Sequence, residues 1–291
     1  MPENQAPQPD RDAARPGRVV SLLLSSHPGP GAAVTLVAVV LGVGVGLEPW
    51  RVIVLGLAIL CNQWSVGLSN DWIDADRDAA VGRRDKPVAR GWIARATVRN
   101  TAFATAAAAI LLTLPLGPLA SLAHAVFILS AWSYNAWLKS TPFSVLPYLV
   151  SFGLLPVVVT LALPIPAATA PWAIALGALF GVAAHFANVL PDLEDDRATE
   201  VRGLPHRLGR RASGIVTYLV LAAASVVAIL GPVGPIGWLQ GAGLALGLGI
   251  AATGILLVLT RPPGRLLFQL IILAALVDVA LLAFTGQRLL A

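Results

Sequence analysis

Nine long apolar stretches constrain this chain more than anything else in it. They run roughly over 31–48, 51–70, 96–114, 117–137, 143–163, 170–190, 212–231, 236–259 and 266–286. A helix needs about 20 apolar residues to cross a bilayer, and backbone polar groups in lipid must be satisfied within the segment. Only 12% of residues are charged, against about a quarter in soluble domains, and mean hydropathy is +0.78. The reading is all-α: a polytopic membrane protein with nine transmembrane helices around a central cavity. Basic residues test that count. With the N-terminus cytoplasmic, 18 of the 20 Lys and Arg fall in inside loops, leaving only Arg51 and Arg288 outside. That is the distribution the positive-inside rule demands, and miscounting one span would scatter it.

The flanks add less. Residues 1–17 are polar and proline-rich and read as a disordered cytosolic tail, leaving 18–291 as a single transmembrane domain. The run VVSLLLSS after Arg18 is too short for a signal peptide and reads as a short interfacial helix. The single cysteine, Cys61, excludes an intrachain disulfide. The net charge of +5 follows from scattered loop residues and implies membrane lipids, not nucleic acid, as surroundings. No protein partner is inferred. The expected location is the plasma membrane, multi-pass, with the active site facing the cytoplasm.

Two inside loops, 71–95 and 191–211, hold 10 of the 15 acidic residues. Clustered acids oppose attraction to a membrane surface, so they have a task. Each loop opens on one pattern, Asn-x3-Asp-x3-Asp: Asn70, Asp74, Asp78, and 118 residues later Asn188, Asp192, Asp196. On a helix, positions i, i+4 and i+8 share a face, so each copy is a stripe of oxygen ligands. Mg²⁺ binds through one or two carboxylates with substrate phosphates completing its shell. Two such stripes at a membrane mouth suit a metal-bridged diphosphate. Both stripes enter from the same side, so the repeat is parallel: two halves of about four helices, plus one. The chain has only two lysines, Lys86 and Lys139, and both lie beside these loops, as do Arg83, Arg84, Arg202, Arg207, Arg210 and Tyr134. Cations there would neutralise a departing diphosphate.

The order NDWIDADRD, DKPVARG, YNAWLK, NVLPDLEDD resembles the UbiA family of intramembrane prenyltransferases, over nearly the whole chain after residue 18. Lys86-Pro87 resembles the family's basic-Pro pair and Arg207-Leu208-Gly209 its Arg-Leu-Gly; Gly203-Leu204-Pro205-His206 departs from the common Thr-Leu-Ala-Val. The resemblance implies nine helices and transfer of a prenyl group from an allylic polyprenyl diphosphate to a small lipophilic or aromatic acceptor. It implies two Mg²⁺ ions, with metal ligands Asn70, Asp74, Asp78, Asn188, Asp192 and Asp196. Asp74, Asp78, Asp192, Asp196 and Lys139 would be catalytic; Asn70, Asp71, Arg84, Lys86, Tyr134, Asn188 and Arg202 would bind substrate.

Other readings stay open at this stage. Asp195 competes with Asp196 as a ligand, while Asp76 and Glu194 read as solvated charges. Asp278, inside the ninth span, is costly to bury in lipid and is either functional or paired across helices. His185 lies on the face of Asn188 and Asp192, either lining the chamber or hydrogen-bonded in packing. His124 and Asn62 read as interhelical hydrogen bonders, and Trp50, Trp132, Trp137 and Trp172 as interfacial aromatics. Alternative functions are an intramembrane terpene cyclase or diphosphatase, a phosphoribosyl transferase on the same fold, and a cation-coupled transporter.

Overall fold

The computed structural model describes residues 16–83, 85–191, 193, 201–260, 270, 273 and 286–291. Among them the chain forms ten α-helices and no strand beyond an isolated bridge between Thr169 and Leu290. They are α1 (Arg18–Ser25), α2 (Pro28–Gly44), α3 (Pro49–Ile73), α4 (Ala75–Ala80), α5 (Arg95–Thr113), α6 (Pro118–Ala136), α7 (Leu146–Leu161), α8 (Pro171–Val189), α9 (Leu204–Leu230) and α10 (Trp238–Thr260). Six of them open on a proline in the first two positions: Pro28, Pro49, Pro118, Pro147, Pro171 and Pro205. There the missing N–H costs nothing and the fixed φ is already helical.

Among the described residues five helices are long and apolar enough to cross a membrane, α3, α5 extended to Leu116, α8, α9 and α10, with a sixth where the bent pair α1–α2 counts as one span. The apolar α7 is shorter, and residues 261–269 and 274–285 lie outside the described residues. The ninefold span count is therefore met only in part here. α9 starts eight residues before the apolar run expected at 212: its first turns carry the loop residues Arg207 and Arg210 on either side of Gly209 (φ 80°), where it kinks. The short helix expected after residue 17 is α1. It buries Ser21 and Ser25 and exposes Val19, Val20, Leu23 and Leu24, the two faces of an amphipathic helix.

α3 packs against α2, α5 and α6, α7 against α2, α6 and α8, and α9 lies between α8 and α10. One apolar core (Leu41, Leu55, Ile59, Phe127, Leu155, Leu176) joins α2, α3, α6, α7 and α8, and a second (Tyr218, Leu221, Ile250, Val258) joins α9 to α10. His124 sits inside the bundle as a fully buried hydrogen bonder. The Thr113 hydroxyl donates to the Ala109 carbonyl (2.7 Å), so it accepts from His124 Nδ1 (2.7 Å), and His124 Nε2 accepts from Asn62 (3.0 Å). This is the interhelical role expected for both residues.

The two ends of the bundle differ in chemistry. At one, Arg51 donates to the carbonyls of Ala162 (2.8 Å) and Leu116 (3.4 Å), satisfying the ends of α7 and the α5 extension. Arg288 lies beside Gly234 in the loop between α9 and α10. Arg77, Lys86, Lys139 and the acids of the first loop gather at the other end.

Candidate functional site

α3 carries the first acidic pattern out of the bundle. The helix is interrupted at Asp74 (φ −85°, ψ 0°), and α4 follows it. The expected single helical stripe is thus two helices. Its register survives because Asp74 N donates to Asn70 O (2.9 Å) and Asp78 N to Asp74 O (2.8 Å). Asn70, Asp74 and Asp78 stay on this one ladder.

These acids are out of water. Asp71 is 1% exposed, Asp74 4% and Asp78 5%, which a carboxylate tolerates only when paired or coordinated. Asp74 is held on both oxygens: Lys139 Nζ donates to Oδ1, while Arg77 (2.7 Å) and Asn70 Nδ2 (3.0 Å) donate to Oδ2. Asp71 Oδ1 accepts from Lys86 Nζ (2.7 Å) and lies 3.0 Å from His27 Nε2; its Oδ2 is buried with no hydrogen-bond partner among the described residues. Asp78 makes no side-chain hydrogen bond among the described residues. Burial and the neighbouring Asp74 push its carboxyl up, against the pull of Lys86, Arg77 and Arg83. Burial likewise pushes the Lys139 ammonium down, opposed by Asp74. Outside the cluster, Asp85 is held at about 2 by the Arg83 hydrogen bond, and Asp76, a solvated charge as expected, is 87% exposed on α4 beside Arg95. The two lysines thus divide the motif: Lys86 takes Asp71 and Lys139 takes Asp74.

The second half reaches the same end through side chains. On α8, His185 donates to or accepts from Ser144 (3.0 Å) and stands edge-on to Tyr134 (5.6 Å between rings), while Asn188, exposed, donates to the Tyr148 hydroxyl (3.5 Å). Tyr134 and Tyr148 meet edge to face at 5.0 Å, and Tyr148 stacks with Phe152. Ser144 also accepts from Leu204 N (2.9 Å) at the start of α9. Gly203 completes the join: a Cβ there would lie 2.6 Å from the Lys139 carbonyl oxygen, so only glycine lets the loop of Lys139 dock on the entrance to α9. The described residues therefore bring Tyr134, Lys139, Asn188 and Gly203 into one neighbourhood beside the first motif. Arg202, His206, Arg207 and Val201 line a cleft of about 450 Å³ there. Arg84, Asp192, Glu194, Asp195, Asp196 and Asp278 lie outside the described residues.

The donor set suits Mg²⁺ better than a soft metal. Among the described residues no three His, Cys, Asp or Glu side chains form a metal cage, but Mg²⁺ takes only one or two carboxylates and completes its octahedron with water and phosphate. The buried Asp78 carboxylate, whose side chain makes no hydrogen bond among the described residues, is an oxygen donor of that kind. Sequence reasoning missed His27, Arg77, Ser144 and Gly203. Arg77 had a signal in its i+3 spacing from Asp74; the others are brought in only by helix crossings.

Fold and site together define a helical bundle of membrane type with acids and cations buried at one end. The sequence profile of the UbiA prenyltransferase family matches residues 32–284, and the chain belongs to that family. It is 30% identical over 165 residues to a digeranylgeranylglyceryl phosphate synthase of Korarchaeum cryptofilum, covering 55% of this chain and 57% of that protein. The match thus spans little more than half of that relative. Among solved structures, a UbiA homologue from Archaeoglobus fulgidus bound to GPP and Mg²⁺ superposes with a TM-score of 0.70 at 14% identity, over 92% of this chain and 99% of the other. A structure concerned with digeranylgeranylglyceryl phosphate synthase in membranes gives 0.67 at 12%, over 93% and 99%. At such identities the likeness is one of fold.

Proposed function

We propose that the protein is an integral-membrane prenyltransferase. It moves a prenyl group from an allylic polyprenyl diphosphate to a lipophilic acceptor, in the cell membrane with the N-terminus and site cytoplasmic. The observation that carries the reading is the pairing of buried acids with buried lysines and Arg77 at one bundle end, a cluster with carboxylate oxygens to spare. Mg²⁺ held by Asn70, Asp74 and Asp78, and by Asn188, Asp192 and Asp196 in the second motif, would neutralise the diphosphate and ease its departure.

The chain's own groups supply the rest. Lys86, Lys139, Arg84 and Arg202 bind the diphosphate oxygens, which take up the electron pair of the breaking C–O bond. Asp71 orients Lys86. Tyr134 and the rings beside it give the allylic cation an apolar wall that excludes water. The acceptor's nucleophilic atom forms the new bond to carbon and gives its proton to a carboxylate at the mouth of the site. Burial keeps the Lys139 ammonium poorly solvated, so anionic substrate oxygens compete well for it.

Two acceptor classes are in view. An electron-rich aromatic ring is the sequence-based expectation, whereas the partial likeness to a digeranylgeranylglyceryl phosphate synthase supports a lipid hydroxyl. The purified protein, given labelled geranylgeranyl diphosphate, Mg²⁺ and either a hydroxybenzoate or a prenylglyceryl phosphate, should form one prenylated product. Release of diphosphate with only a free alcohol or cyclic hydrocarbon would instead identify a diphosphatase or cyclase. Absence of any Mg²⁺-dependent donor consumption would reject the proposal.

A further inference from the structure

His27 stands at the break between α1 and α2, where the chain turns by 62°. Its backbone is left-handed (φ 52°, ψ 62°), and it is the one non-glycine residue with positive φ among those described. The following Pro28 bars it from the helical region, and a side chain with a Cβ populates the left-handed region only where its surroundings insist. The surroundings do so at Gly67 of α3, where an added Cβ would lie 2.3 Å from the Ser26 carbonyl oxygen. That close crossing, one helical turn before Asp71, delivers the imidazole to the acid.

There, three atoms form a triangle. Lys86 Nζ is 2.7 Å from Asp71 Oδ1, His27 Nε2 is 3.0 Å from the same oxygen, and Lys86 Nζ is 3.0 Å from His27 Nε2. A neutral imidazole nitrogen either donates or accepts. With Nε2 bare, it accepts from Lys86, and Lys86 alone satisfies the carboxylate. With the proton on Nε2, it donates to Asp71, and Lys86 is repelled from the ring. The two arrangements differ in which group holds a carboxylate that is 1% exposed and that would be costly to strand.

We propose that His27 is a positioning residue that takes over Asp71 when the Lys86 ammonium turns from it to the substrate diphosphate. The proton that appears on Nε2 leaves Nδ1 through water, to which the 40% exposed His27 side chain has access, so the ring stays neutral throughout. This inference rests on the prenyl-transfer reading for its purpose, but the exchange itself can be tested without substrate.

In thermal unfolding of the full chain, His27→Ala should lower Tm only slightly when Lys86 is present. In a Lys86→Met background it should lower Tm by a further ~3–6 °C, because Asp71 then loses its last strong partner. Additive shifts would overturn the exchange. Should Lys86→Met fail to fold, Lys86→Gln provides the same background. With geranylgeranyl diphosphate and Mg²⁺, His27→Ala should raise KM for the donor about tenfold with a smaller change in kcat, and His27→Gln, which can also donate, should restore most of it. In an Asp71→Asn background the His27→Ala effect on KM should vanish. An unchanged KM, or an equal effect with and without the Asp71 carboxylate, would overturn the proposal. A wild-type protein that consumes no prenyl diphosphate would reject the parent reading and the catalytic purpose of the exchange, while the unfolding cycle still decides whether His27 and Lys86 share Asp71.

Discussion

Asp74 and Asp78 lie one turn apart at the same burial and carry different burdens. Asp74 is locked between Lys139, Arg77 and Asn70, whereas Asp78 has no hydrogen bond to lose among the described residues. Asp74→Ala strands a buried ammonium, so it is expected to lose turnover and about 3–5 kcal/mol of stability together. Asp78→Asn is nearly isosteric and should abolish Mg²⁺-dependent donor consumption while leaving Tm within about 2 °C. Parallel activity and unfolding measurements check both; full turnover by Asp78→Asn would remove it from the metal's ligands. At Lys139 shape matters as well as charge. The side chain is 10% exposed, and a guanidinium is a planar fork where an ammonium is a point, so Lys139→Arg should recover little of the activity lost in Lys139→Met.

Among the elements, close helix crossings carry the positional information. Gly203 and Gly254 make a useful contrast. A Cβ at Gly203 meets the Lys139 carbonyl at 2.6 Å, and one at Gly254 on α10 meets the buried Tyr218 ring at 2.2 Å. Both substitutions by Ala overpack an interface and should cost about 1–3 kcal/mol. Only Gly203→Ala displaces a group of the candidate site, so only it should also raise KM for the donor. Equal kinetic damage from Gly254→Ala would mean that the α9–α10 pair shapes the site more than the loop of Lys139 does. The interruption of α3 at Asp74 is a further decision made at this scale. Continuous i, i+4 spacing reads as one helix, yet Asp74's two oxygens are drawn to Lys139 and Arg77, and the backbone turns there without losing register.

For the whole molecule, the basic residues already sort the two ends. Arg51 and Arg288 meet carbonyls and loop backbone at one, Lys86 and Lys139 meet acids at the other. In a Cys61→Ala background, single cysteines at Arg83 and Trp137 should label only from the cytoplasmic side and one at Ile165 only from outside; labelling of all three from one side would reject the orientation. Metal removal is expected to separate function from stability. Asp71 and Asp74 already hold the chain's own cations, so chelation should stop donor consumption yet shift Tm by less than about 2 °C. A large fall in Tm would make the metal part of the fold.

The sequence alone determined the class of architecture and the chemistry of its first motif. Apolar runs, prolines at helix starts and the bias of Arg and Lys are local signals of what lipid tolerates, and Asn70, Asp74 and Asp78 reveal themselves by spacing within one segment. What spacing could not supply was who answers each charge. Lys86 goes to Asp71 and Lys139 to Asp74, 15 and 65 residues away, and His27 reaches Asp71 only because Gly67 lets one helix break cross another. Those partners were decided by tertiary structure, since a buried carboxylate is paired by whatever cation the packing of distant helices brings within 3 Å.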